Sequence, residues 1–164
     1  MNWDEYFMSL VYLVAMRSKD QSTKIGAVVV GPDHEIRSTG YNSFVRGIDD
    51  YVEERQQRPE KYFWMCHAEV NSVYDAARIG ASLKDCIIYT NGIPCMHCAL
   101  SIVQSGIKEV IVHKLWNDQN KDIWIEHAER STILFNEAGV KLRIYDGKIQ
   151  TEIYGFNRGS KIEL

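Results

Sequence analysis

"EVIVH" at 109–113, "IWIEHAERSTILFNEAG" at 123–139 and "VKLRIY" at 140–145 decide the fold. The outer two are short runs rich in β-branched residues, the signature of buried strands, and the middle one carries apolar residues at helical spacing. A chain that leaves a strand, crosses through a helix and re-enters the sheet runs parallel to where it began. The same unit stands just upstream, where "CIIYT" at 86–90 reads as a strand and "CALSIVQSG" at 98–106 as a helix ending in glycine. Further back, "IGAVVVG" at 25–31, the turn "GPDH" at 31–34 and "EIRSTGYN" at 35–42 form an antiparallel hairpin. A first helix carries Trp3, Phe7, Leu10, Val11, Val14 and Ala15, closed by the polar run at 17–24. Another opens at His67 and stops at Gly80, with Val70, Val73, Ala77 and Ile79 as its apolar positions. The expected fold is therefore α/β: a three-layer α-β-α sandwich around a mixed sheet of about five strands, its last two core strands parallel. The stretch from 150 onward adds a strand or reaches a neighbouring subunit.

Composition narrows the function classes. The chain has 164 residues, 45% hydrophobic and 25% charged, with three prolines and no repeat or linker-like tract, so a single domain over 1–164 is expected. A net charge of -3 offers no basic field for nucleic acid. No apolar run approaches the roughly 20 residues that cross a bilayer, and no leader pattern follows Met1, which points to a cytoplasmic location, or a host's cytoplasm for a viral chain. In that reducing setting Cys66, Cys86, Cys95 and Cys98 are expected as metal ligands or buried thiols, not disulfides.

Two motifs carry chemistry. "MCHAEVN" at 65–71 sets Glu69 two residues after His67, and "PCMHC" at 94–98 sets Cys95 and Cys98 three apart at a helix start. There Pro94 suits the first turn, and the helix dipole favours thiolate. His67 with the two cysteines makes a Cys₂His set for Zn²⁺ with one coordination position open, as a catalytic site requires. Two residues advance a helix by about 200°, so Glu69 reaches the same pocket only if the helix end itself points there. In that arrangement Glu69 stays off the metal and moves protons between water and a substrate nitrogen. The bland alternative is a structural zinc, which would need a fourth protein ligand such as Cys66. Cys86 reads as core, His97 as facing away from the metal, and Tyr62, Phe63 and Trp64 as packing under a loop.

The pair H-x-E and P-C-x-x-C resembles the signature of the zinc nucleobase deaminases. "RSKDQSTKIGAVVV" at 17–30, "GYNSFVRGIDD" at 40–50, "CHAEVNSV" at 66–73 and "SGIKEVIV" at 105–112 narrow the resemblance to the deoxycytidylate deaminase family, over roughly residues 3 to 145. The resemblance implies a cytidine deaminase-like fold and zinc-dependent conversion of dCMP to dUMP, with Glu69 as the catalytic residue and ammonia leaving. By the same likeness, Asn42 hydrogen-bonds the sugar, the main chain of Ala68 touches the base, Lys24 lies near the phosphate, and Arg78 matches an arginine of some phage relatives. A second zinc, as some phage relatives carry, would join Cys66 to a histidine such as His34 or His113. It further implies a homo-oligomer, expected as a hexamer, with dCTP and dTTP as effectors, Mg²⁺ accompanying the triphosphate, and Gly40, Tyr41, Gly47 and Asp50 in a regulatory loop. Ser43 and Val45 stand where many members carry glycine and proline. Other deaminases, acting on dCTP, a tRNA adenosine or a riboflavin precursor, and a non-catalytic zinc module, are the alternatives.

Overall fold

The capped helix α1 (Trp3–Ala15) begins at Asn2, whose side chain accepts the Glu5 N–H. In this computed structural model, which describes residues 1–119 and 122–163, α1 leads into the antiparallel hairpin of β1 (Gly26–Val30) and β2 (Ile36–Tyr41). A short strand β3 (Ser43–Phe44), a 3-10 turn (Glu53–Gln56) and α2 (Lys61–Trp64) follow. Then β4 (Met65–Cys66) pairs back on β3 and delivers the chain into α3 (Ala68–Ile79). The second half alternates β5 (Ile87–Thr90), α4 (Met96–Gln104), β6 (Glu109–His113), α5 (Lys114–Asn117), α6 (Asp122–Ala138) and β7 (Lys141–Tyr145).

The central sheet has five strands in the order β2-β1-β5-β6-β7, with β1 antiparallel to both neighbours and β5, β6 and β7 mutually parallel. Every residue of β1 is buried, as a strand covered on both faces must be, which explains its unbroken "GAVVV". On one face Ala68 and Ala76 of α3, Ala99 and Ile102 of α4 and Phe135 of α6 pack on Val29, Ile88, Val110 and Val112. On the other, Phe7, Met8 and Val11 of α1 cover Val28, Val30, Tyr89 and Ile111. The three-layer sandwich is the expected one. Each large side chain so buried contributes roughly 1.5–3 kcal/mol.

Two expectations need correction. The buried face of α3 is Ala68, Glu69, Ser72 and Ala76, whereas Ala77 and Ile79 are exposed. The cause is a close approach: a Cβ on Gly40 in β2 would lie 2.1 Å from the Ala68 carbonyl oxygen and 2.4 Å from the Ser72 nitrogen, so only small residues fit that seam. Tyr62, Phe63 and Trp64 are exposed, not packed under a loop, and Trp64 lies beneath the Arg55 guanidinium at 4.1 Å. The C-terminal stretch forms its own hairpin of β8 (Tyr154–Asn157) and β9 (Ser160–Glu163) and adds no strand to the central sheet. Arg158 and Gly159, both with positive φ, make the tight turn between these strands.

Candidate active site

Two helix N-termini meet at the edge of a cavity of about 610 Å³. His67 is the N-cap of α3 and Cys95 that of α4, both with extended backbone. The helix carrying the cysteines thus begins at Met96, two residues after Pro94, and not around the proline as expected. The extended backbone of Cys95 lets its side chain turn back over the first turn to meet Cys98. His67 Nδ1 lies 3.3 Å from Cys95 Sγ and 3.4 Å from Cys98 Sγ, and the two sulfurs are 3.5 Å apart. A tetrahedral zinc, with Zn–S about 2.3 Å and Zn–N about 2.0 Å, spaces such ligands roughly 3.5–3.8 Å apart. The donor triangle fits that ion, and these three are the one such group among the described residues.

Glu69 joins the same cavity. His67 stands outside the helix, so the step to Glu69 is not the helical rotation that would separate them. Glu69 is 6% exposed, with Oε2 3.5 Å from Cys98 Sγ. Burial pushes its pKa above the ordinary carboxylate value, the direction that suits a group passing protons near neutrality. The Cys98 hydrogen bond, helped by the His67 imidazole, outweighs burial and holds the Cys95 thiol well below its ordinary value. A sulfur already biased to thiolate is a ready ligand.

The opposite wall combines loop residues with the start of α2 and Trp124 of α6. Asn42 is buried: its Oδ1 accepts the Ile25 N–H at 2.8 Å, and its Nδ2 donates to the Thr23 carbonyl at 2.8 Å and to Asp20 at 3.2 Å. Asp20 is paired in turn with Lys61, whose Nζ lies 3.0 and 2.7 Å from the two carboxylate oxygens and 2.6 Å from Ser22 Oγ. Burial raises the Asp20 carboxyl, but hydrogen bonds from Lys61 and Ser22 outweigh it and leave the group below its ordinary value. Trp124 meets the His67 ring edge-on, with centroids 6.2 Å apart.

The family model for the cytidine and deoxycytidylate deaminase zinc-binding region matches residues 1–114, which contain the whole donor triangle and Glu69. The chain belongs to the cytidine and deoxycytidylate deaminase family. Human deoxycytidylate deaminase is 35% identical over 162 residues, covering 96% of this chain and 87% of that protein. The mouse enzyme of the same name matches to the same extent. Among solved structures, the dCMP deaminase of cyanophage S-TIM5 in complex with dCMP and dUMP superposes with a TM-score of 0.68 at 22% identity, covering 87% of this chain and 96% of that one. That likeness speaks for the fold.

In this family member the sequence-derived site residues divide. His67, Cys95, Cys98, Glu69, Ala68, Asn42 and Lys24 all line the cavity or its metal corner. Lys24 Nζ donates to the Ser18 carbonyl at 2.6 Å. Gly40 and Tyr41 sit in β2, where Gly40 meets the α3 backbone and the Tyr41 carbonyl accepts from Asn71 Nδ2, so both serve the seam between β2 and α3. Gly47 takes a positive φ in an exposed turn, and Asp50 lies 3.7 Å from Lys19. Arg78 is exposed on the last turn of α3, and His97 is exposed as expected. The second-zinc reading does not hold: His34 stacks on Trp3, and His113 is bound by the Tyr12 hydroxyl at Nδ1, neither joining Cys66. His127, without a partner in sequence, lies 3.5 Å from the Met96 N–H at the start of α4. Sequence reasoning missed Asp20, Lys61, Trp124 and Arg58. Lys61 stands forty-one positions from its partner in the chain, and no local pattern announces such a contact.

Proposed function

We propose that this chain catalyses the hydrolytic deamination of dCMP to dUMP with release of ammonia, supplying dUMP for thymidylate synthesis. The observation that carries the reading is the metal corner with a buried carboxylate beside it: three donors fit for zinc, and Glu69 held off that set within the same cavity. The name of the 35%-identical human relative supports the choice of substrate.

His67, Cys95 and Cys98 would hold the zinc, which when bound activates water for attack on a ring carbon. The residues of the chain do the rest. Glu69 accepts the proton of the attacking water at its carboxylate and passes it to the ring nitrogen beside the reacting carbon. It then carries a second proton to the departing amino group, which leaves as ammonia. Ala68 opens α3, so its backbone N–H is among those without a partner inside the helix and is available to the base. Asn42 Oδ1 keeps a lone pair for a sugar hydroxyl, since one bond from Ile25 uses only half its accepting capacity. Lys24 and Arg58 line the cavity, and neither forms an ion pair among the described residues, which suits a phosphate.

The same reading assigns a homo-oligomer, a hexamer, regulated by dCTP and dTTP with Mg²⁺, through the segment containing Gly40, Tyr41, Gly47 and Asp50. Support comes from the family resemblance of that segment, tempered by Ser43 and Val45. The test is ammonia release with the ultraviolet change of the pyrimidine ring, measured on zinc-loaded protein given dCMP, deoxycytidine or dCTP. Strong preference for the monophosphate is expected; absence of turnover on every cytosine nucleotide would overturn the reading. Repeating the assay with dCTP and dTTP added, alongside light scattering, checks regulation and assembly.

A further inference from the structure

The wall opposite the metal corner contains a buried ion pair that the reaction itself does not use. Asp20 and Lys61 have side chains only 4% and 7% exposed, although one belongs to the loop after α1 and the other opens α2. A buried pair of this kind adds little net stability compared with apolar packing, so its presence invites a role in specifying geometry.

The hydrogen bonds show what it specifies. Asp20 Oδ1 accepts from the Ser22 N–H at 2.8 Å, the Ser22 hydroxyl at 2.9 Å and the Thr23 N–H at 3.1 Å, which folds residues 20–23 into a tight turn. That turn aims the Thr23 carbonyl at Asn42 Nδ2 and the Ile25 N–H at Asn42 Oδ1. Asp20 Oδ2 then takes the remaining proton of Asn42 Nδ2. Both donors of the Asn42 amide are consumed on the loop side, and the one unused site on the side chain is the second lone pair of Oδ1. Lys61 fixes this polarity, because a carboxylate bonded to an ammonium is an acceptor only.

We propose that the Asp20–Lys61 pair is the positioning device that makes Asn42 present an acceptor, and never a donor, to the sugar of the nucleotide, so that a 3′-hydroxyl is read by a directed hydrogen bond. The inference rests on the dCMP reading above. It makes Asp20 and Lys61 positioning residues acting through Asn42, and it gives the segment between β3 and β4 a part in substrate selection.

The experiment compares kcat/KM for dCMP and for 2′,3′-dideoxycytidine monophosphate, which lacks the 3′-hydroxyl, in the zinc-loaded wild type and in Asp20→Asn, Lys61→Met and Tyr89→Phe. Asp20→Asn is nearly isosteric, yet its N–H₂ must face either the Ser22 and Thr23 amides or the Asn42 amide, donor against donor. Tyr89→Phe breaks a hydrogen bond to Asp4 far from the cavity and serves as a control for general destabilisation. The wild type should lose about tenfold on the dideoxy substrate, the worth of one well-placed hydrogen bond. In Asp20→Asn and Lys61→Met the ratio should fall to within about twofold, through a raised KM for dCMP and with zinc content retained, whereas Tyr89→Phe should keep the tenfold ratio. Variants that fold, bind zinc and keep the wild-type ratio would overturn the proposal, as would a wild type that turns over both nucleotides equally. A wild type active on neither would overturn the dCMP reading and this inference with it.

Discussion

The two walls of the cavity are held by different physics. The metal corner is made of two helix N-termini, with ligands supplied by residues adjacent in sequence to helix starts and seated on the central sheet. The facing wall is largely loop with the start of α2, held by a buried ion pair and by amide hydrogen bonds that bridge distant parts of the chain. The first wall gains its shape from helices packed on the central sheet. The second has shape only while every partner is in place. One substitution in that network can therefore undo the second wall, whereas the first rests on many contacts.

That contrast can be broken at several points. Stripping zinc with a chelator should abolish dCMP turnover, by about a thousandfold or more, and added Zn²⁺ should restore it, while circular dichroism shows the sheet and helices retained. Extensive unfolding on chelation would instead make the metal corner depend on its ligand as the loop wall depends on its ion pair. Lys61→Met leaves Asp20 buried without its partner, and a loss of about 3 kcal/mol is expected. In a chain of this length that corresponds to a melting temperature lower by roughly 6–12 °C, read by thermal denaturation. A variant within about 2 °C of wild type would show that the loop wall holds without the pair.

A smaller effect sharpens the comparison through pH. Asp20 titrates below its ordinary value of 3.8 in the folded chain, so its contribution is fully present above that value and is lost as pH falls through the folded-state pKa. The difference in melting temperature between wild type and Asp20→Asn should be largest near pH 7 and should shrink only as pH falls below 3.8 through the folded-state value. A difference that stays constant over that range would assign the effect to shape and not to charge. Smallest of all, Arg78→Ala on the exposed last turn of α3 should alter stability by no more than about 0.5 kcal/mol and leave dCMP kinetics unchanged.

What was legible in the sequence follows the same division. The parallel strands β5, β6 and β7, the hairpin and the candidate metal ligands all rest on local signals: β-branched runs, glycine stops, and cysteines three apart at a helix start. Even the puzzle of His67 and Glu69 had a local answer, since an N-cap residue lies outside the helical rotation. The buried face of α3 is not legible in its hydropathy, because its packing is set by Gly40 across the seam. An aromatic run such as 62–64 suggests core packing from sequence, whereas in the fold Trp64 lies under a cation at the surface. Lys61 stayed hidden because a lysine beside aromatic residues looks solvated until its partner, far back in the chain, is in view.

The most direct test of the central claim is to load Glu69→Gln with zinc and measure metal content and dCMP turnover on the same sample. The account predicts about one zinc per chain, with turnover lower by a factor on the order of 10³, since the metal corner is intact and only the proton carrier is gone. Turnover near that of the wild type would contradict it and remove Glu69 from the reaction.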